Sequence, residues 1–412
     1  MAATRYDVAV IGAGVFGAWI AWHLAHSGQR VLLVDQYGPA HTRASSGGET
    51  RVIRMAYGSD AIYTRLAQSS LRQWQALFAA VGRPELFQRT GVLWMARRGH
   101  AAAEQSLSVL TDAAVDHQVL DAAELRKRYP QIAVPDDGWA IFEPTSGGLL
   151  ARRAVQAVVA DAIRKGVMLV QEQILPVSGI GRLAALRSTS GRTLHADRHV
   201  LACGPWLGKL LPDLLGPRIF PTRQEVCYFG IPAGDTRFGA AQMPTWMDFD
   251  REWYGLPDIE GRGFKLACDV HGPLIDPDIA ERTASVAGIA AAREFVARRF
   301  PALAGAPLIA AEVCQYENTS NGDFLIDQHP DYDNLWIAGG GSGHGFKHGP
   351  AVGEYLSGLW LATARRSRAS VWQASRPCRG GRSIDRGLAS EGGKSIARER
   401  APTVPARTYG DL

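Results

Sequence analysis

The hydrophobic positions of this chain change rhythm several times. Tyr6 to Ile11 is apolar apart from Asp7, and Val31 to Val34 is apolar throughout, the pattern of strands buried on both faces. Val15 to His26 between them has helical spacing, with Gly28 placed to end the helix. A later strand is expected to end at Val200-Leu201-Ala202-Cys203, before the turn Gly204-Pro205-Trp206. From about 215 to 318 aromatics, Pro and Gly are scattered, as in antiparallel strands and turns. Asn334 to Ala338 then returns to a buried strand, followed by a glycine loop and a helix beginning near Pro350.

The first strand, turn, helix and strand enclose Gly12-Ala13-Gly14-Val15-Phe16-Gly17, a GxGxxG. Gly12 permits the tight turn, Gly14 lets a pyrophosphate approach the backbone, and Gly17 lets helix and strand pack closely. The helix N-terminus would receive the phosphate charge. Asp35, at the end of the second strand, can hydrogen-bond a ribose hydroxyl, which favours FAD or NAD over NADP. Residues 40 to 60 interrupt the strand-helix alternation of a simple NAD enzyme with a Gly/Ser-rich loop followed by Arg51 and Arg54. Such a loop is suited to a redox ring lying along it.

Length and charge narrow the classes. At 412 residues, two or three domains are expected. The net charge of +5 suggests a nucleic-acid binder only until it is located. Residues 364 to 412 hold eleven Lys and Arg against four Asp and Glu, leaving 34 against 36 in the rest. The basic excess is therefore a tail of Arg, Ser, Gly and Pro, read as disordered. Five cysteines, Cys203, Cys227, Cys268, Cys314 and Cys378, form no CxxC pair, so neither a disulfide framework nor a metal site is expected. The first strand begins too early for a signal peptide, and no apolar run nears the roughly 18 residues of a membrane span. A reducing cytoplasm follows as the expected location.

Three further stretches carry a specific resemblance: HTRASSGGETRVIRMAYG, AEVCQYENTSNGDFLIDQHP and GGGSGHGFKHGPAVGE. Together, and in this order, they resemble the monomeric sarcosine oxidase and N-methyltryptophan oxidase family of FAD-dependent amine oxidoreductases over roughly residues 5 to 365. The resemblance implies an α/β fold, α+β overall: a Rossmann-like FAD-binding domain with an inserted substrate domain of antiparallel sheet and helices. The expected division is 1–84, 145–214 and 319–364 for the cofactor, 85–144 and 215–318 for the substrate, and 365–412 for the tail.

The resemblance also implies roles. Cys314 would tether the FAD as a thioether, and Gly12, Gly14, Gly17, Asp35, Gly343, Gly345 and Lys347 would complete the cofactor site. Arg54 and Lys347 would bind a substrate carboxylate, Arg as a planar fork and Lys as a point charge. Arg51, sharing a helical face with Arg54 if the stretch is helical, would lie beside the flavin. Lys265 would promote reaction with oxygen by stabilising superoxide. Tyr254 and Met247 would line the amine pocket. Apart from the resemblance, His344 in the glycine loop would either titrate near neutrality, if it faces a cavity, or shape the loop through a hydrogen bond, with His348 a weaker candidate. Two positions depart from the family: Asp269 stands where sarcosine oxidases have a histidine four residues after the lysine, with His271 beyond it, and Ser46-Gly47-Gly48 lacks the histidine of several members.

The reaction so implied is oxidation of a secondary amino acid, sarcosine or another N-methyl amino acid, to an imine that yields formaldehyde, with O2 reduced to hydrogen peroxide by a monomeric enzyme. Alternatives are a cyclic substrate of the pipecolate or proline type, N-methyltryptophan, a glycated amine, a dehydrogenase serving a protein partner, or a flavin-binding docking subunit without oxidase activity. No carboxylate base is evident in the sequence.

Overall fold

The computed structural model describes residues 5–368. A seven-stranded sheet runs Leu325–Gln328, Leu335–Gly339, Thr193–Leu201, Tyr6–Ile11, Val31–Asp35, Met168–Gln171, with Ala185–Arg187 folded back on the Thr193–Leu201 strand. The four central pairings from Leu335–Gly339 to Met168–Gln171 are parallel, and the Leu325–Gln328 strand is antiparallel to its neighbour. Alternation explains the continuous apolar runs. Val8, Val10, Val31 and Leu33 enter one hydrophobic core, while Ala9, Ile11, Leu32 and Val34 enter another on the opposite face.

Helices Val15–His26, Ala151–Arg164 and Gly349–Arg368 cover the first of these faces. The closest of these contacts relies on missing side chains: a Cβ on Gly353 would stand 2.7 Å from the Trp19 backbone. Gly28, at φ +86°, ends the first helix as expected. The last helix runs into the first four residues of the expected tail, and 369–412 lie outside the described residues.

A second, eight-stranded sheet runs Leu308–Asn318, Phe220–Phe229, Phe264–Cys268, Trp253–Leu256, Thr245–Asp248, Val92–Arg97, Gly138–Glu143, Gln118–Asp121. It is antiparallel except where Thr245–Asp248 meets Val92–Arg97. Its strands fall in two stretches of chain inserted between strands of the first sheet. One face is covered by helix Val286–Arg299, where Trp246, Phe264, Phe295 and Phe300 pack together. Period-two alternation sends the other set of side chains toward the parallel sheet. Cross-strand register puts Trp94, Met247, Tyr254, Lys265, Tyr228, Cys314 and Tyr316 on this second face.

A three-stranded ribbon, Arg51–Ile53, Gly147–Leu149 and Phe87–Gln88, lies beside these sheets. Here the structure corrects an expectation. Arg51 and Arg54 do not share a helical face: Arg51–Ile53 is a strand, so an odd spacing sends the two side chains to different places.

Candidate active site

A cavity of about 340 Å³ opens at the C-terminal ends of the parallel strands, with Gly12, Gly14, Asp35, Cys314, Gly343 and Gly345 among its lining. Gly12 has φ +102°, and a Cβ there would sit 2.3 Å from the Ala202 carbonyl oxygen. A Cβ on Gly17 would sit 1.8 Å from the Gly12 oxygen, so the helix can approach the strand only as glycine. Asp35 accepts backbone N–H bonds from Ala13 at 2.7 Å and from Tyr37 and Gly38 at 2.8 Å, which fixes its carboxylate at the cavity edge. Ser45 Oγ and Glu317 Oε1, on two lining residues, are buried without a hydrogen-bond partner. A glycine cradle at a helix N-terminus, a fixed carboxylate and two unsatisfied polar atoms fit a hydroxyl- and phosphate-bearing dinucleotide such as FAD.

At one end of the cavity Arg51 donates to Cys314 Sγ at 3.2 Å and to the Ser45 carbonyl at 2.6 Å. The guanidinium is thus positioned against the only thiol of the face that looks across from the parallel sheet, among the described residues. Lys265 lies nearby but is not a solvated strand residue. It is 3% exposed, and its Nζ donates to the Thr50 carbonyl at 2.7 Å and hydroxyl at 3.1 Å. Burial, aided by the Arg51 charge, brings its ammonium down to a pKa of about 7.

Arg54 points the other way, into an aromatic corner. Its guanidinium lies 4.2 Å from the Tyr57 ring centre and 4.8 Å from that of Trp94, and it donates to the Ala56 carbonyl. Lys347 Nζ donates to Tyr57 Oη and the His344 carbonyl, both at 2.8 Å. Burial and then the like charge of Arg54 hold its ammonium well below its ordinary value. Tyr57 Oη also meets His348 Nε2 at 2.6 Å. A corner with two cationic side chains whose charges repel is set to receive an anion.

Of the two roles open to His344, the geometry favours the loop-shaping hydrogen bond over titration near neutrality. Its ring stacks on Phe324 with centres 4.9 Å apart, its Nε2 meets the Gly322 carbonyl at 3.0 Å, and burial lowers its pKa to about 3. It shapes the loop as a neutral ring. Gly343 of that loop, at φ +77°, packs on Tyr316, where a Cβ would lie 2.7 Å from the ring. Tyr316 Oη lies 3.3 Å from Tyr254 Oη and donates to Asp269 Oδ1 at 3.3 Å. Met247 is Tyr254's cross-strand neighbour and packs on the larger core.

Several residues of this arrangement escape sequence reasoning. Glu143, fully buried, accepts from Met55 N at 2.8 Å, Ala56 N at 3.0 Å and Trp94 Nε1 at 2.7 Å, and from the Ser146 hydroxyl. It thereby fixes both the backbone beyond Arg54 and the ring under it. Its only signal is an acid closing the apolar run Gly138–Glu143. Tyr57 and Trp94 read as ordinary core aromatics. Glu317 is pushed up to a pKa of about 7 by burial, against hydrogen bonds from the Gly340 and Gly341 amides.

Among the described residues, no group of three or more His, Cys, Asp or Glu is placed to hold a metal, the four cysteines are free, and no helix is long and apolar enough to cross a membrane.

Comparison with known proteins bears on this geometry. Residues 7–359 match the FAD dependent oxidoreductase family. The chain is 33% identical to monomeric sarcosine oxidase of Bacillus sp. (strain B-0618), covering 91% of this chain and 97% of that protein. It is 33% identical to human peroxisomal sarcosine oxidase, with coverage of 85% and 91%, and 30% identical to N-methyl-L-tryptophan oxidase of Salmonella arizonae, with 87% and 95%. L-proline dehydrogenase from P. horikoshii has a similar fold, with a TM-score of 0.75 at 19% identity over 87% of this chain and 94% of that one. So does fructosamine oxidase from Aspergillus fumigatus, at 0.73 and 22% over 87% of each.

Proposed function

We propose that this chain, which belongs to the FAD-dependent oxidoreductase family and groups with its sarcosine and N-methyltryptophan oxidases, is an FAD-dependent amine oxidase acting on sarcosine or a related N-methyl amino acid. The observation that carries this reading is the divergence of Arg51 and Arg54 from one short strand, the first to Cys314 at the cofactor cavity and the second to the aromatic corner shared with Lys347. One segment of chain thus serves a redox site and a carboxylate site at once.

Gly12, Gly14, Gly17, Asp35, Gly343, Gly345 and Lys347 would hold the FAD, and Cys314 would bind it covalently. When bound, FAD supplies the two-electron acceptor and its reoxidation by O2 yields hydrogen peroxide. Arg54 and Lys347 take the substrate carboxylate, which restores to Lys347 the counter-charge that its burial withholds. Tyr254 and Met247 supply an apolar wall against which the N-methyl group is held, and Tyr316 closes it. Arg51 and Lys265 provide fixed positive charge beside the ring position, Lys265 for the reaction with oxygen. His344 keeps the loop in shape. The oxidised substrate leaves as an imine, which water splits into formaldehyde and the demethylated amino acid.

The same proposal divides the chain into cofactor segments 1–84, 145–214 and 319–364 and substrate segments 85–144 and 215–318, supported by the intervals from which the two sheets draw their strands. It takes the enzyme to be a cytoplasmic monomer, a location in keeping with the four free thiols.

The test is an anaerobic visible spectrum of the purified protein titrated with sarcosine, N-methyltryptophan, proline and pipecolate, followed by air. Bleaching by an N-methyl amino acid, recovering in air with peroxide release, is the expected result. A yellow protein that none of them bleaches would overturn it. Acid precipitation of the same sample reads the linkage: yellow colour stays in the pellet if Cys314 holds the cofactor and passes to the supernatant in C314S.

A further inference from the structure

Asp35 and Glu143 are each held by several donors, whereas one exposed carboxylate beside the site is not. Asp35 accepts three backbone amides, and Glu143 accepts four donors. An ionised carboxylate offers about four acceptor positions. Asp269 accepts one long bond within the protein, from Tyr316 at 3.3 Å, and makes no ion pair among the described residues. It is exposed, on the loop that follows Phe264–Cys268, held by its own N–H to the Glu252 carbonyl at 2.6 Å.

Its surroundings are those of a cation site. Tyr254 Oη bonds to Tyr316 Oη and Tyr316 in turn donates to Asp269, so the carboxylate is the terminal acceptor of a chain of two phenols. Burial pushes Tyr254 up to about 12 and Tyr316 well above its ordinary value, with Asp269's charge adding to both. The phenols therefore stay protonated and do not compete for charge. The other groups facing Asp269 are His271, edge-on to Tyr316 at 5.7 Å, Tyr57, and Lys347, whose ammonium Asp269 helps to sustain against burial. Asp269 thus sets a negative charge across from the anion-receiving corner of Arg54 and Lys347.

Resting on the amine-oxidase reading, we propose that Asp269 is the counter-ion and proton acceptor for the substrate's ammonium, so that the enzyme takes up its amino acid as the zwitterion. The carboxylate end of the substrate meets Arg54 and Lys347, and the ammonium end meets Asp269 beside the two tyrosines. One N–H bond of the ammonium breaks, an O–H bond forms on an Asp269 oxygen, and the electron pair stays on nitrogen as the lone pair that oxidation of the neighbouring carbon requires. This assigns a base to a site in which the sequence shows none.

Two probes on the holoenzyme decide the matter. The first is binding of trimethylammonioacetate against 3,3-dimethylbutanoate, its isostere with carbon in place of the cationic nitrogen, read by the change in the visible spectrum. Neither can lose a proton from nitrogen, so the ratio reports cation recognition alone. The wild type is expected to favour the cation by about tenfold or more, and D269N to lose the preference while still binding the isostere through Arg54 and Lys347. Equal binding of both by the wild type overturns the proposal, even if sarcosine bleaches the protein.

The second is the anaerobic bleaching rate against pH. D269N is expected to be slower by about 10²–10⁴-fold at pH 7, with a rate that climbs about tenfold per pH unit up to pH 9 as free amine accumulates, since amino groups of this class stay protonated until well above neutrality. D269E is expected to recover much of the rate and flatten the slope. An unchanged rate and profile in D269N leaves Asp269 only an orienter of Tyr316 and overturns the proton transfer. Should no amine bleach the wild type, the oxidase reading fails, and the isostere ratio still tests the cation site by itself.

Discussion

The cofactor cavity and the amine corner meet along one short strand, yet they are built in opposite ways. The cavity is made by backbone. Its glycines hold positions where a Cβ would strike Ala202 or Gly12, and its carboxylate Asp35 is bound to three amides within a few residues of the motif. The amine corner and the sheet face beside it are made by side chains from distant segments: Arg54, Trp94, Tyr254, Lys265, Tyr316 and Lys347 come from six separate stretches of chain. A site of the first kind is fixed by sterics and fails as a whole. A site of the second kind can lose one group and keep its shape.

The largest expected effect tests the first half of that contrast. Gly17→Ala puts a methyl group 1.8 Å from a backbone oxygen that cannot move without parting helix from strand. We expect a loss of at least about 3 kcal/mol of stability and of most bound FAD, measured by denaturant unfolding and by the ratio of visible to ultraviolet absorbance. A G17A protein that stays yellow with wild-type stability breaks the contrast.

Lys265→Met tests the second half. Met fits the buried space without a charge to desolvate, so stability is expected to hold or rise, while reoxidation by O2 slows by about 10²–10³-fold and anaerobic bleaching changes little. In the wild type the ammonium is present below a pKa of about 7 and is lost above it. The reoxidation rate should therefore fall as pH rises through 7, a dependence that stopped-flow mixing with O2 would find missing in K265M.

The smallest effect sharpens the comparison at the boundary. Glu317, raised from 4.5 to about 7 by burial, binds its proton more tightly in the folded protein than in the unfolded chain. Its contribution to stability is complete below pH 4.5 and is lost as pH climbs through 7. Glu317→Gln in the cofactor-free protein is expected to gain about 1–2 kcal/mol at pH 8 and nothing at pH 4.5, by urea unfolding at the two pH values.

The same contrast governs what the sequence reveals. The strand, GxGxxG, helix and strand are legible because each glycine acts on neighbours a few residues away, and apolar runs without alternation announce a sheet buried on both sides. The residues of the second site become visible as a set only through register: Lys265 faces Tyr228, Tyr228 lies beside the long strand carrying Cys314, and Met247 faces Tyr254. No local pattern carries that register. The spacing of Arg51 and Arg54 suits a helix, and nothing local reveals that the three-residue strand pairs instead with Gly147–Leu149, nearly a hundred residues away. The sequence leaves both roles of His344 open because its burial among Tyr63, Phe324 and His348, which removes titration near neutrality, is a tertiary fact. Glu143 leaves almost no trace in the sequence, since all its partners but one are far along the chain.

Glu143 also sets how freely such an enzyme can be retailored. The face of the antiparallel sheet that looks into the chamber is a set of interchangeable positions, and new amines could be admitted there by exchanging side chains one at a time. The carboxylate of Glu143, reaching from that sheet to the Met55 and Ala56 amides, is the point where such exchange would be felt on the other side. An evolving lineage, or an engineer, that leaves this one acid in place can vary the chamber wall while Arg54 keeps its aim.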